Sequence, residues 1–101
     1  MNAIKEITPL ELKARLDAGE KPTLIDVREQ DEIDEGMIDG AIHMALGTVP
    51  ERLEELSKTD EIIFICRGGG RSNNACEYLQ SLGYRGTVNM VGGMLAWNQL
   101  K

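Results

Sequence analysis

A chain of 101 residues, 42% of them apolar, has the size of one small domain, and residues 1–101 are expected to form it as a unit. Eleven Lys and Arg against 17 acids give a net charge of −6 at pH 7, which opposes phosphate backbones and anionic lipid, so neither nucleic acid nor membrane is an expected partner. Residues 1–6 lack a signal-peptide layout, no apolar run nears the ~18 residues of a membrane span, and two cysteines are too few for a disulfide scaffold; the expectation is a cytoplasmic monomer with reduced thiols.

Thr8-Pro9-Leu10-Glu11 predicts the first helix. Thr8 caps it, Pro9 suits the first helical position, Glu11 completes a capping box and Ile7 staples onto Leu12. Leu12 and Leu16 form its inner stripe, and Gly19 follows its end. Leu24-Ile25-Asp26-Val27 reads as a short buried strand, residues 28–35 as an acidic turn or short helix, and residues 40–44 as a further strand. Thr48-Val49-Pro50-Glu51 repeats the capping-box pattern and predicts a helix with Leu53 and Leu56 inward. Glu61-Ile62-Ile63-Phe64-Ile65-Cys66 is the most strand-like stretch, and its four consecutive large apolar residues without alternation mark a strand buried on both faces of a parallel sheet. A helix with Ala75, Tyr78, Leu79 and Leu82 on its inner side comes next, ended by Gly83. Residues 87–91 read as the last strand, and Gly92-Gly93 turns the chain into a helix carrying Met94, Leu95 and Trp97. This alternation predicts an α/β domain whose parallel sheet is covered on both faces, with a site beyond the carboxyl ends of the strands.

Charge is unevenly spread: residues 1–65 hold 7 basic and 16 acidic groups, residues 66–101 hold 4 and 1. The positive excess begins at Cys66-Arg67-Gly68-Gly69-Gly70-Arg71-Ser72. Three adjacent glycines between strand and helix permit positive φ and let peptide N–H groups turn inward as an anion-binding nest. The helix start adds about half a positive charge, and Arg67 and Arg71 add two full ones. A thiol in this setting is expected to ionise more readily than a free one and act as a nucleophile. Plain structural burial is the reading for an isolated Cys at a strand end; strand, glycines, arginines and helix together argue against it. No Gly-Lys-[Ser/Thr] follows, which excludes a P-loop.

Cys66-Arg67-Gly68-Gly69-Gly70-Arg71-Ser72 resembles the active-site loop of the rhodanese (sulfurtransferase) family. The resemblance extends through Leu24-Ile25-Asp26-Val27-Arg28, Glu35-Gly36 with Ile38-Asp39-Gly40-Ala41-Ile42, and Val91-Gly92-Gly93 with Trp97. It implies a single rhodanese-like domain, a five-stranded parallel sheet with helices on both faces, and transfer of a sulfane sulfur through a cysteine persulfide. Cys66 would attack the outer sulfur of a small-molecule donor such as thiosulfate and expel sulfite. Amides from Arg67 through Arg71 would cradle the charged sulfur, and cyanide or a thiol would accept it, a protein acceptor being a further possibility. Arg67 is the candidate for the donor's sulfonate, Arg71 faces the pocket or ties the loop to a carboxylate below, and Ser72 caps or lines the helix entry. No cofactor or metal is expected. Met37 stands where the family often has His, a departure expected to affect local packing or a hydrogen bond and not catalysis.

Two other readings remain beside this one. A cysteine phosphatase or arsenate reductase also wraps an oxyanion in a Cys loop, but needs a longer spacing between Cys and Arg than the four residues between Cys66 and Arg71. A persulfide carrier or interaction module would need the same nest, with acidic residues 29–35 as a docking surface or, more simply, a solvated face. Asp26 and Arg28 form a catalytic pair or cap the loop after their strand; the resemblance favours the latter, with Arg28 pairing Glu35. Cys76 reads as a semi-buried structural thiol at the flank of its helix stripe, with a resolving role as the alternative. His43 reads as a hydrogen-bonded residue without a metal role.

Overall fold

The computed structural model describes residues 3–100. Five strands form one all-parallel sheet: β1 (Lys5–Ile7), β2 (Thr23–Asp26), β3 (Ile42–His43), β4 (Ile62–Ile65) and β5 (Thr87–Met90), in the spatial order β1-β5-β4-β2-β3. Its helices are α1 (Pro9–Asp17), α2 (Gln30–Ile33), α3 (Gly70–Ser81) and α4 (Gly93–Trp97), with two 3-10 segments at Leu46–Glu51 and Leu53–Glu55. Among the described residues no helix is long and apolar enough to cross a membrane.

Alternation along β4 builds the two halves of the core. Ile62, Phe64 and Cys66 join Ile25, Val27, Val49, Ala75, Cys76 and Leu79 on the α3 side. Ile63 and Ile65 join Ile7, Leu12, Leu24, Val88, Met90 and Met94 on the α1/α4 side. All four residues of β4 are buried, as a central strand with helices on both faces requires. Cys66, the next residue, therefore inherits the facing of Phe64 and points under the start of α3.

The entry to α1 is built as its sequence prescribes. Thr8 Oγ1 accepts from the Glu11 amide at 3.1 Å, Glu11 Oε1 accepts from the Thr8 amide at 2.9 Å, and Ile7 and Leu12 share one core cluster. Gly19, at φ +90°, follows the C-cap.

Four elements differ from the sequence reading. β1 is an edge strand of three residues, two of them exposed, too short to carry a period-two signal. The strand expected over 40–44 narrows to Ile42–His43. The helix expected after Thr48 is replaced by 3-10 turns: Pro50 has no amide to donate, and the Thr48 hydroxyl donates back to the Ala45 carbonyl instead of capping forward. Leu56 is nonetheless buried and Leu53 packs beside it. The inner stripe of α3 runs through Ser72, Ala75, Cys76 and Leu79, while Tyr78 and Leu82 face solvent. Two polar-looking members, Ser72 and Cys76, shift that stripe away from its most apolar reading.

Candidate active site

Cys66 leaves β4 at the carboxyl edge of the sheet, and the loop that follows runs directly into α3. Of its three glycines only Gly69 adopts the left-handed conformation, at φ +105°. That reversal turns the Gly69 amide back onto the sulfur, where it donates to Cys66 Sγ at 3.0 Å. Among the described residues this is the one amide of the 67–71 stretch that reaches Sγ, so the resting sulfur has a single peptide donor and not the full ring the sequence suggests. The Gly69 carbonyl accepts from the Asn73 amide at 3.1 Å, starting α3. The amides of Gly70, Arg71 and Ser72 belong to the first turn, where helix geometry offers no internal partner, and they carry the positive end of the dipole. A Cβ on Gly68 or Gly70 would meet nothing within 4 Å, whereas Cys66 itself is 1% exposed.

The loop is held from a second side by α4. The Met94 amide donates to the Cys66 carbonyl at 2.8 Å and the Leu95 amide to the Arg67 carbonyl at 3.0 Å. This approach requires Gly93, which sits at φ +57° with no room for a side chain: a Cβ there would overlap the carbonyls of Arg67 and Cys66. The double glycine after β5 is thus the contact that seats α4 on the Cys66 loop.

Arg71 does not turn onto the sulfur. Its guanidinium makes a bidentate pair with Glu32 of α2, at 2.7 and 2.8 Å. The Arg71 hydrogen bonds, with a further one from the Glu29 amide, hold the Glu32 carboxyl down at about 2, and Glu32 in turn pushes Arg71 up. Of the two roles open to Arg71, the geometry gives the tie to a carboxylate. Arg67 is exposed and lines a groove of about 380 Å³ with Arg28, Glu32, Glu35, Met94, Leu95 and Asn98.

Ser72 is fully buried, 3.2 Å from Cys66 Sγ. Its hydroxyl also meets Asn89 Oδ1 and the Gly69 carbonyl. Asn89, from β5, completes this network by donating Nδ2 to the Gly69 carbonyl at 3.2 Å. Asn89 is the residue the sequence reading missed. The signal was present: a polar side chain inside a short apolar strand has to find buried partners.

Asp26 and Arg28 lie beneath the site and pair with each other. Arg28 Nε donates to Asp26 Oδ1 at 3.0 Å and Nη2 to Oδ2 at 2.9 Å, while Nη1 and Nη2 also reach the carbonyls of Glu32 and Gly36. Glu35 is exposed and does not take part, which corrects the expected Arg28–Glu35 pair. A carboxylate two residues away on the same strand end, buried at 0%, is the nearer and drier partner. His43 Nε2 donates to the Arg28 carbonyl at 2.6 Å, in keeping with its structural reading. Cys76 is wholly buried at the centre of the α3 stripe, not semi-buried at its flank, and burial pushes its thiol up to about 12. Among the described residues no three His, Cys, Asp or Glu side chains gather closely enough to hold a metal ion.

A buried strand ending in a cysteine, its sulfur bonded to the reversed peptide of a glycine loop at a helix start, defines a class. The family model for the Rhodanese-like domain matches residues 8–100, and the chain belongs to that family. It is 51% identical over 94 residues to the provisionally named sulfurtransferase YtwF of Bacillus subtilis (strain 168), covering 93% of this chain and 90% of that protein. A rhodanese-like domain protein from Staphylococcus aureus has the same fold at a TM-score of 0.87 and 36% identity, over 93% of this chain and 91% of that one. The human single-domain sulfurtransferase TSTD1 superposes at a TM-score of 0.85 with 26% identity, over 99% of each chain. Sulfur transfer by a single rhodanese-like domain is the activity these relationships support.

Proposed function

We propose that this domain takes a sulfane sulfur from a thiosulfate-type donor onto Cys66 and passes it, as a persulfide, to a thiol or cyanide. The observation that carries this reading is the Gly69 amide aimed at Cys66 Sγ beside the unpartnered first-turn amides of α3. The Cys66 thiolate attacks the outer sulfur of thiosulfate, a new S–S bond forms, and sulfite leaves with the electrons of the broken one. Negative charge moves from Sγ to the outer sulfur, next to the amides of Gly70, Arg71 and Ser72, which favour it electrostatically. Arg67, exposed along the groove described above, would hold the donor's sulfonate. An acceptor thiolate or cyanide then attacks the outer sulfur and returns Cys66 as a thiolate.

Two observations set this above an oxyanion-wrapping phosphatase. The Cys-to-Arg spacing is short, and Arg71 is already committed to Glu32, so the arginine that ends the loop does not close over the sulfur. Both cysteines are free thiols, which fits a protein working in a reducing compartment such as the cytoplasm.

The test is intact mass spectrometry after incubation with thiosulfate. One added sulfur atom on Cys66, discharged by cyanide as thiocyanate, is the expected result, and Cys66→Ser removes it while leaving the circular dichroism spectrum unchanged. Sulfur transfer persisting in Cys66→Ser would end the assignment.

A further inference from the structure

The hydrogen bonds under the Cys66 loop decide where one particular proton sits. Asn89 is 4% exposed, with Nδ2 donating to the Gly69 carbonyl. A carbonyl only accepts, so the amide NH2 must face Gly69 and Oδ1 must face Ser72. Oδ1 has no proton to give, and the other acceptor in reach of Ser72, the Gly69 carbonyl, already takes the Asn73 amide and Asn89 Nδ2, so the single hydroxyl proton of Ser72 goes to Asn89. What Ser72 turns towards Cys66 Sγ, 3.2 Å away, is a lone pair. We propose that Asn89 is a positioning residue that withholds the Ser72 proton from Cys66, so that this one contact favours the two forms with no charge on Sγ, the thiol and the persulfide, over the bare thiolate that the Gly69 amide serves. This rests on the reading of Cys66 as the nucleophile that carries sulfur.

A thiol donates its own proton into the Ser72 lone pair. A bare thiolate wants donors at Sγ, and has the Gly69 amide at 3.0 Å. Recruiting Ser72 as a second donor would strip a buried Asn89 Oδ1 of its partner, a cost of the same order as the bond gained. Once sulfite has left, Sγ is a neutral disulfide-type sulfur and the charge lies on the outer atom, so nothing is lost by Ser72 facing Asn89. The network therefore tilts Cys66 towards being loaded. The other charged and titratable groups around Cys66 are untouched by this bond. From α3 they are Arg71 and the Cys76 thiol; from α2, Glu29 and Glu32; from β2 and its end, the Asp26–Arg28 pair; from the loop itself, Arg67. The Leu46–Glu51 segment packed on α3 brings only the exposed Glu51, and β5 and α4 bring none.

Two readouts test this: iodoacetamide alkylation of Cys66 across about pH 5 to 10, bracketing an ordinary thiol, and equilibrium sulfur loading at fixed thiosulfate-to-sulfite ratios, both by intact mass. In Asn89→Ala the Ser72 hydroxyl can turn to the Gly69 carbonyl or to the thiolate, and the charged sulfur is the stronger acceptor, so alkylation at the acid end rises at least about threefold and loading at alkaline pH falls by a similar factor. Ser72→Ala alone also speeds acid-end alkylation, because the thiol loses its acceptor. In the Asn89→Ala background the same Ser72→Ala change slows it. Ser72→Ala that leaves alkylation unchanged or slower overturns the proposal, as does an Asn89→Ala protein with unaltered profile and loading; if Asn89→Ala does not fold, the sign of the Ser72→Ala effect decides alone. Failure of the underlying reading looks different: the unmutated protein then gains no sulfur on Cys66.

Discussion

Replacing Gly93 with alanine tests how the Cys66 loop is held. The residue sits at φ +57°, where an L side chain costs about 1 kcal/mol or somewhat more. The new Cβ would also overlap the Arg67 and Cys66 carbonyls, so α4 has to back away. The two amide bonds it makes there, from Met94 and Leu95, then lengthen or break, at about 1 kcal/mol each. The expected loss is about 3 kcal/mol, which for a domain of this size lowers Tm by about 12–24 °C. Gly68→Ala is the control: its φ is not positive, its Cβ meets nothing within 4 Å, and its effect should stay within about 0.5 kcal/mol. Thermal unfolding followed by circular dichroism gives both numbers, and thiosulfate loading measured well below each Tm separates loop geometry from stability. A Gly93→Ala protein that melts with the Gly68→Ala control would refute the account of the glycine pair.

Three further outcomes follow from other contacts. Cys66 and Cys76 are both buried, but burial pushes the Cys76 thiol up to about 12, so iodoacetamide near neutral pH should modify Cys66 before Cys76, and labelling in the reverse order would contradict this. Asp26→Asn should cost about 3–5 kcal/mol by leaving the buried Arg28 charge without its carboxylate, whereas Glu35→Gln should change stability by less than about 0.5 kcal/mol; equal losses in denaturant titrations would restore Glu35 as the partner. The Glu32–Arg71 pair should contribute about 1 kcal/mol, the upper range for a solvent-accessible pair. Because the folded Glu32 carboxyl is held at about 2, below its ordinary 4.5, that contribution is complete above about pH 4.5 and disappears as pH falls towards 2. The stability difference between the unmutated protein and Glu32→Gln should shrink over that interval, and a difference constant down to pH 2 would show that the pair contributes nothing.

What the sequence revealed depended on the range over which each feature is determined. The α1 cap is local, settled by Thr8, Pro9 and Glu11 within one turn, and its reading survived intact. The burial of β4 was equally plain, since four consecutive large apolar residues have few alternatives. Cys66 and the glycine loop stood out because their chemistry is concentrated in seven neighbouring residues. The features that escaped are set by partners far along the chain. Arg28 has Asp26 and five more carboxylates between residues 29 and 35 nearby in sequence, and only the fold places one of them, Asp26, against it in a dry site. β1 exists because β5 offers it an edge, as the Ile7–Met90 register records. Asn89 reads as an ordinary strand residue until α3 is laid over it, 17 residues after Ser72. The stripe of α3 was misjudged for the same reason: Ser72 is buried by the site above it and not by its own apolarity.

The hold of α4 on the Cys66 loop also has a temporal side. Residues 92–95, which fasten the carbonyls on either side of the nucleophile's peptide, are synthesised after every residue that touches the sulfur. A nascent chain that already contains Cys66, Ser72 and Asn89 still lacks its clamp, so the Cys66 loop is held from both sides only once the last helix is made.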